Sequence, residues 1–285
     1  MSDRPYQPRR SLIFAPGTRP DMFPKALASG ADMVCIDLED AIAPEHKDEA
    51  RDKTLALFAE PQTDDGVERL VRINGLRTRD GIADLHAILA SANPPPALML
   101  PKIKSAEDVE ALDELLDGRH AKIRFHVIIE TNEGLENCHE IAVASRRIDS
   151  LLFGAIDLSA GLRVEPTWDA LLYARSRVVH AAATASLDLI DVPYLDLDDT
   201  AGFEAAARAA ADLGMTGKAA IHPKQIAFLN QTFTPSAEAI AHARKVIEAF
   251  EAASSGLVVV DGKLIEKPVL RAMYRIVAIA ERLAD

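Results

Sequence analysis

The stretch His126-Val127-Ile128-Ile129-Glu130-Thr131-Asn132-Glu133-Gly134 reads as a strand sealed on both faces that runs into a carboxylate, with a helix pattern starting just beyond. Ser150-Leu151-Leu152-Phe153-Gly154-Ala155-Ile156-Asp157-Leu158-Ser159 repeats the arrangement further on. Such unbroken apolar runs suit a parallel sheet covered on both sides, because a half-exposed strand would alternate apolar with polar residues. Taken singly, each acid is either an N-cap of the following helix or a functional group. Two acids at equivalent strand ends, facing one opening, can hold a divalent cation.

Outward from these two runs the same strand-then-helix unit recurs. Residues 11–15 lead through Pro16-Gly17 into a helical pattern up to Gly30, and 32–36 lead past Asp37, Glu39 and Asp40 into a charged helix over 47–58. Strand 69–73 precedes helix 80–89, and strand 97–101 precedes helix 106–116. The fifth unit is strand 123–130 with a helix from Leu135; the sixth is strand 150–153, its helix delayed by a loop to 168–185. Strand 187–191 with helix 201–213 and strand 218–221 with helix 223–229 complete the series. Eight alternations in about 230 residues predict a (β/α)8 TIM barrel, since a doubly wound sheet usually has fewer strands and a Gly-rich phosphate turn. No G-x-G-x-x-G turn or Walker A loop is present. After Pro235 the pattern changes to a helix over 237–253, a hairpin over 256–265 turning on Asp261-Gly262, and a last helix from Val269. The expected division is a barrel catalytic domain over 1–235 and a helix-hairpin-helix lid and oligomerisation segment over 236–285.

The 285 residues are 48% hydrophobic and 27% charged, enough for one large core. A formal charge of −12 without a Lys/Arg run argues against nucleic acid or an anionic membrane as partner. An anionic ligand must then be held by a few placed cations. Cys35 and Cys138 fit no metal or redox spacing and read as apolar fillers without a disulfide. No secretory h-region follows Met1 and no apolar run approaches a membrane span, so a cytoplasmic location is expected.

In a barrel of this kind reactive groups collect at the C-terminal strand ends. Those ends carry Phe14, Asp37, Glu39, Asp40, Arg72, Lys102, Glu130, Asp157, Asp191 and His222. Mg2+ prefers oxygen ligands and takes one or two carboxylates directly, which points to Glu130 and Asp157. Asp37, Glu39 and Asp40 then either accept hydrogen bonds from metal-bound water or form a solvated capping cluster. Arg72 either presents its planar fork to a carboxylate or oxyanion, or pairs with the nearby acids. His222, just before Pro223, is expected to be a hydrogen-bonded loop histidine, and Phe153 and Trp168 to pack. No nucleophile elbow or catalytic Cys-His signature is present.

Arg10-Ser11-Leu12-Ile13-Phe14-Ala15-Pro16-Gly17, Asp37-Leu38-Glu39-Asp40, Val71-Arg72-Ile73-Asn74, Leu100-Pro101-Lys102, Glu130-Thr131, Gly154-Ala155-Ile156-Asp157 and Ile221-His222-Pro223-Lys224-Gln225 resemble, in that order, the citrate lyase β-subunit and malyl-CoA lyase family. The resemblance spans roughly residues 10 to 275. It implies a barrel with a C-terminal lid, bound Mg2+ with Mn2+ as a substitute, homo-oligomers (trimer or hexamer), and cleavage or formation of a C–C bond in a 3-hydroxyacyl-CoA. Carried over by position, it puts the metal on Glu130 and Asp157, the substrate on Phe14, Arg19, Lys25, Arg72 and Glu130, and catalysis on Arg72 and Glu266. Two departures stand out. Ile156 stands where the family often has an acid, and Glu266 in Leu264-Ile265-Glu266-Lys267-Pro268 stands where the family has the aspartate that reaches a neighbouring subunit's site. The longer side chain leaves open a thioesterase of the same group, releasing malate and CoA. A non-catalytic or carrier-dependent citrate lyase β-type subunit is the third reading.

Overall fold

The computed structural model describes residues 7–60, 62–63, 65–253 and 257–283. Strands β1 (Ser11–Pro16), β2 (Met33–Asp37), β3 (Glu68–Arg72), β4 (Ala97–Leu100), β5 (Arg124–Ile129), β6 (Ile148–Phe153), β7 (Asp188–Asp191) and β8 (Gly217–Ala220) close into one parallel barrel in sequence order, β8 pairing back onto β1. This is the (β/α)8 barrel that the recurring unit predicts. Nearly every strand residue is buried, so both strand faces are sealed, as the unbroken apolar runs require. Leu12, Met33, Cys35, Leu70, Met99, Ile128, Leu152 and Ile190 point inward and fill the barrel.

The helices between strands are α1 (Phe23–Leu27), α2 (Lys47–Ala56), α3 (Arg79–Ala90), α4 (Ala106–Leu115), α5 (Asn132–Glu136), α6 (Cys138–Val143), α7 (Ala155–Leu162), α8 (Trp168–Ala185), α9 (Thr200–Leu213) and α10 (Ile226–Thr232). Side-chain caps start several of them: Thr78, Thr131, Thr167 and Asp199 each accept a backbone N–H of the first turn. The sixth unit corrects the sequence reading. The segment expected to be a loop before α8 contains α7, which escapes a periodicity search because it is short and its cap, Gly154, offers no side-chain acceptor.

The N-terminal end of the barrel is closed by ions. Arg9 bonds Glu68 at 2.6 and 3.0 Å and Asp188 at 3.0 Å, and His126 donates to or accepts from Ser150 Oγ at 2.7 Å. Burial opposes ionisation of Glu68, but His126 and Arg9 hold its carboxyl well below the usual range. Cys35 and Cys138 are free and buried. No helix among the described residues is long and apolar enough to cross a membrane.

The described residues form two compact units: one within Arg9–Asn230, which holds the barrel, and a second that takes those from Gln231 onward with Gln7 and Pro8. The second contains α11 (Ala237–Ala252), strands β9 (Leu257–Val260) and β10 (Lys263–Glu266), and α12 (Lys267–Arg282). The hairpin turns on Asp261 (φ 50°) and Gly262 (φ 74°), the double left-handed turn that Asp-Gly favours. Gly256, the expected start of the hairpin, lies outside the described residues. Val246, Val260 and Ile265, with Phe250 and Met273 against them, form this unit's own core.

Candidate active site

Register brings the acids together at the C-terminal mouth of the barrel. Ile129 of β5 pairs with Phe153 of β6, which sets Glu130 beside Gly154. A Cβ on Gly154 would lie 2.4 Å from Glu130 Cβ and 2.9 Å from its Oε2, so the bare glycine makes the space that the carboxylate fills. Glu130 is buried at 4% exposure, and its Oε1 accepts the backbone N–H of Lys102 at 2.7 Å. Lys102 holds a left-handed φ of 56°, uncommon for a residue with a side chain and a mark of backbone set by its surroundings.

The Lys102 ammonium sits where three carboxylates converge. Its Nζ lies 2.7 Å from Asp157 Oδ1, 3.6 Å from Glu130 Oε1 and 3.7 Å from Glu39 Oε1. Asp157 occupies the first turn of α7, where the helix dipole favours an anion, and is the exposed member of the group. Burial pushes the Glu39 carboxyl up to about 8 and the Glu130 carboxyl up to about 7, with Arg72 and Lys102 pulling the other way and neighbouring acids adding to the rise. Glu39 Oε2 lies 3.1 Å from Arg72 Nη1 yet accepts no aligned hydrogen bond.

Arg72 stands opposite Asp37 in the β2–β3 register, and its fork closes on that partner. Nε donates to Asp37 Oδ1 at 2.7 Å and Nη2 to Oδ2 at 2.6 Å. Only Nη1 is left over, facing Glu39 and, at 3.5 Å, Asp40. The guanidinium rests over the Phe14 ring at 5.3 Å. Asp37 requires a correction. Besides Arg72 it accepts the N–H of Glu39 at 2.8 Å and of Ala41 at 3.1 Å, which uses its four lone-pair positions and leaves none for a metal-bound water. It anchors Arg72 and shapes the loop, while Glu39 and the exposed Asp40 stand beside the Arg72 Nη1.

The other expected residues of the barrel unit lie apart from this cluster or on its margin. Phe14 is half-buried beneath Arg72; Lys25 is exposed; Arg19 is exposed and paired with Asp21 at 2.9 Å. Asp191 is buried against Lys218 and Arg175, which makes it structural. His222 accepts the Lys224 N–H and caps a short 3-10 turn, the loop role expected of it. Phe153 and Trp168 pack on the Arg175 guanidinium. Glu266 belongs to the second unit, where it is exposed at the start of α12 and makes no side-chain cap. A second acid grouping, Glu68, His126 and Asp149, lies at the N-terminal end, but Arg9 and Arg124 already neutralise it. Sequence reasoning assigned no role to Lys102 or Gly154. The available signal was their position: each touches an acid-bearing strand end.

Charged groups gathered at the strand C-termini of a closed barrel define the chain as an α/β-barrel enzyme. The profile of the HpcH/HpaI aldolase/citrate lyase family matches residues 10–223. The chain belongs to that family, and with it to the carbon–carbon lyases. It is 37% identical to an L-malyl-CoA/beta-methylmalyl-CoA lyase of Cereibacter sphaeroides, over 98% of this chain and 97% of the relative. It is 33% identical to the citrate lyase subunit beta of Escherichia coli, over 95% and 92%. Among solved structures it resembles CitE of Mycobacterium tuberculosis in complex with magnesium, acetoacetate and coenzyme A, with a TM-score of 0.75 and 30% identity over 98% of both chains. RipC of Yersinia pestis matches at a TM-score of 0.73 and 38% identity, over 83% of this chain and all of that one.

Proposed function

We propose that the protein is a Mg2+-dependent lyase that cleaves a 3-hydroxyacyl-CoA such as malyl-CoA, reversibly, to acetyl-CoA and glyoxylate. The observation that carries this reading is the convergence of Asp157, Glu130 and Glu39 on a single cation position. The fit to a hard divalent ion rests on three features: an ammonium already standing at that position, the Gly154 cradle that a Cβ would fill, and the unsatisfied Glu39 Oε2. Glu130 and Asp157 would ligate the ion, with Glu39 and Asp40 accepting from its waters. When bound, the metal supplies Lewis-acid polarisation of substrate oxygens.

The chain's own residues do the rest. As the C–C bond breaks, the hydroxyl proton passes to a carboxylate base, the hydroxyl carbon becomes the aldehyde of glyoxylate, and the bonding pair passes to the thioester enolate. Arg72 Nη1, held by the Asp37 pair, offers fixed positive charge to that oxyanion. A carboxylate must then return a proton to carbon, and Glu266 is our assignment for it, reaching the mouth of a neighbouring subunit in a homo-oligomer.

The thioesterase reading is favoured by one feature, the extra methylene of Glu266 on an uncapped, exposed side chain, which moves its carboxylate outward and makes room for water at the thioester carbon. The purified chain incubated with malyl-CoA, with and without chelator, tests these readings. Glyoxylate with acetyl-CoA supports cleavage, malate with CoA supports hydrolysis, and full activity in excess chelator overturns the metal assignment. Activity of the chain alone excludes a silent subunit. A Glu266→Asp variant that leaves the glyoxylate-to-malate ratio unchanged removes Glu266 as the residue that sets the outcome.

A further inference from the structure

We propose that Lys102 is an exchangeable counter-cation of the site: its ammonium holds the carboxylates together when metal is absent and withdraws when a divalent ion binds. This rests on the metal reading above. Lys102 grips the site twice, through two groups of different mobility. The backbone N–H donates to Glu130 Oε1 at 2.7 Å from a left-handed conformation, a fixed attachment. The Nζ reaches Asp157 at 2.7 Å and stands within 3.7 Å of Glu130 and Glu39 at the end of a flexible four-carbon stem.

The two cations cannot share the position. A Mg2+ held by Glu130 and Asp157 would compete with the ammonium for the carboxylate oxygens and bring a second positive charge into the same pocket. The side chain has somewhere to go, since a third of it is exposed at the mouth. Its departure leaves Glu130 oriented, because the backbone N–H does not move with the side chain. Metal entry is therefore a replacement of one cation by another on carboxylates that stay assembled, so the metal-free site does not fly apart by like-charge repulsion.

Two measurements on the full chain test this. In the parent, limited acetylation with acetic anhydride, read by peptide mass spectrometry, is expected to label Lys102 several-fold faster with saturating Mg2+ than in chelator, with exposed Lys25 as the reference. In Lys102→Gly, which keeps the N–H to Glu130 and tolerates the left-handed backbone, Mg2+ affinity by calorimetry is expected to tighten about tenfold while the chelated protein melts lower. Lys102→Met serves as the second variant. Unchanged or slower labelling with Mg2+, or unchanged or weaker affinity in both variants while the parent binds the ion, overturns the exchange and leaves the metal reading standing. Failure of the parent to bind Mg2+ together with a gain of binding in Lys102→Gly supports both the metal site and the exchange, with the ammonium as the stronger occupant. Absence of binding in every protein overturns both.

Discussion

Replacing Gly154 by alanine is the sharpest single perturbation of the site. The backbone φ of −90° is ordinary for an L-residue, so any penalty comes from the added methyl group. That methyl would lie 2.4 Å from Glu130 Cβ and 2.9 Å from both Glu130 Oε2 and Ile128 Cγ2. Carbon atoms rest at about 3.5–4 Å, so something must move by roughly 1 Å. Glu130 Cβ is fixed to a strand end and cannot rotate away, hence the Glu130 carboxylate is displaced. Overpacking of this kind costs about 1–3 kcal/mol of stability, while a 1 Å error in a positioned group costs about 100-fold in rate. Gly161→Ala on the same helix is the control, because there the nearest neighbour is the Asn132 side chain at 3.4 Å and alanine favours the helix by about 0.5–1 kcal/mol. The assays are thermal melting in chelator, Mg2+ calorimetry and turnover of malyl-CoA. We expect Gly154→Ala to melt a few degrees lower and to lose at least tenfold in Mg2+ affinity, with Gly161→Ala near the parent. Parent-like Mg2+ affinity and turnover in folded Gly154→Ala would refute the idea that Glu130 must occupy this cradle.

Three further outcomes follow from the same geometry. With their carboxyls pushed up to about 7 and about 8, Glu130 and Glu39 bind more protons in the folded than in the unfolded chain; the chelated protein should therefore lose stability as pH rises from about 5 to 8, and the Mg2+-induced gain in melting temperature should grow over that window. A flat melting temperature across it would contradict the assignment. Asp157→Asn should leave the melting temperature in chelator within about a degree, because the side chain is half-exposed, yet remove Mg2+ binding by calorimetry. Arg72→Lys should abolish most turnover and also lower stability by about 1–3 kcal/mol, since an ammonium cannot satisfy both oxygens of a buried Asp37; denaturant titration that finds no loss would remove the buried pair from the argument.

The Arg72–Asp37 pair marks where the sequence ran short. The alternation of apolar runs and helices located all eight barrel strands to within a few residues, because a strand sealed on both faces leaves a compositional trace in its own residues. The placement of Glu130 and Asp157 at the barrel mouth was legible for the same reason, since each is an acid that follows such a trace. Contacts across strands leave no such trace. The sequence offers the nearby acids as partners of Arg72, but nothing in it says that register sets Asp37, thirty-five residues earlier, as the one that takes its fork. The short α7 was read as loop because its cap is a glycine chosen for the space it leaves to Glu130, a demand that overrides helix-start chemistry.

Charge balance ties these particulars together. The mouth holds Asp37, Glu39, Asp40, Glu130 and Asp157 against Arg72 and Lys102, and the Arg72–Asp37 pair is already spent on itself. Four carboxylates then share one ammonium and the spare edge of one guanidinium. Left so, the buried members can relieve the excess only by taking up protons, the direction in which Glu39 and Glu130 are pushed. The divalent cation proposed above would relieve it without protonation and return both acids to their charged form. Proton, ammonium and metal thus compete for one deficit of positive charge. The residue that can leave without dismantling the site is the lysine anchored by its own backbone.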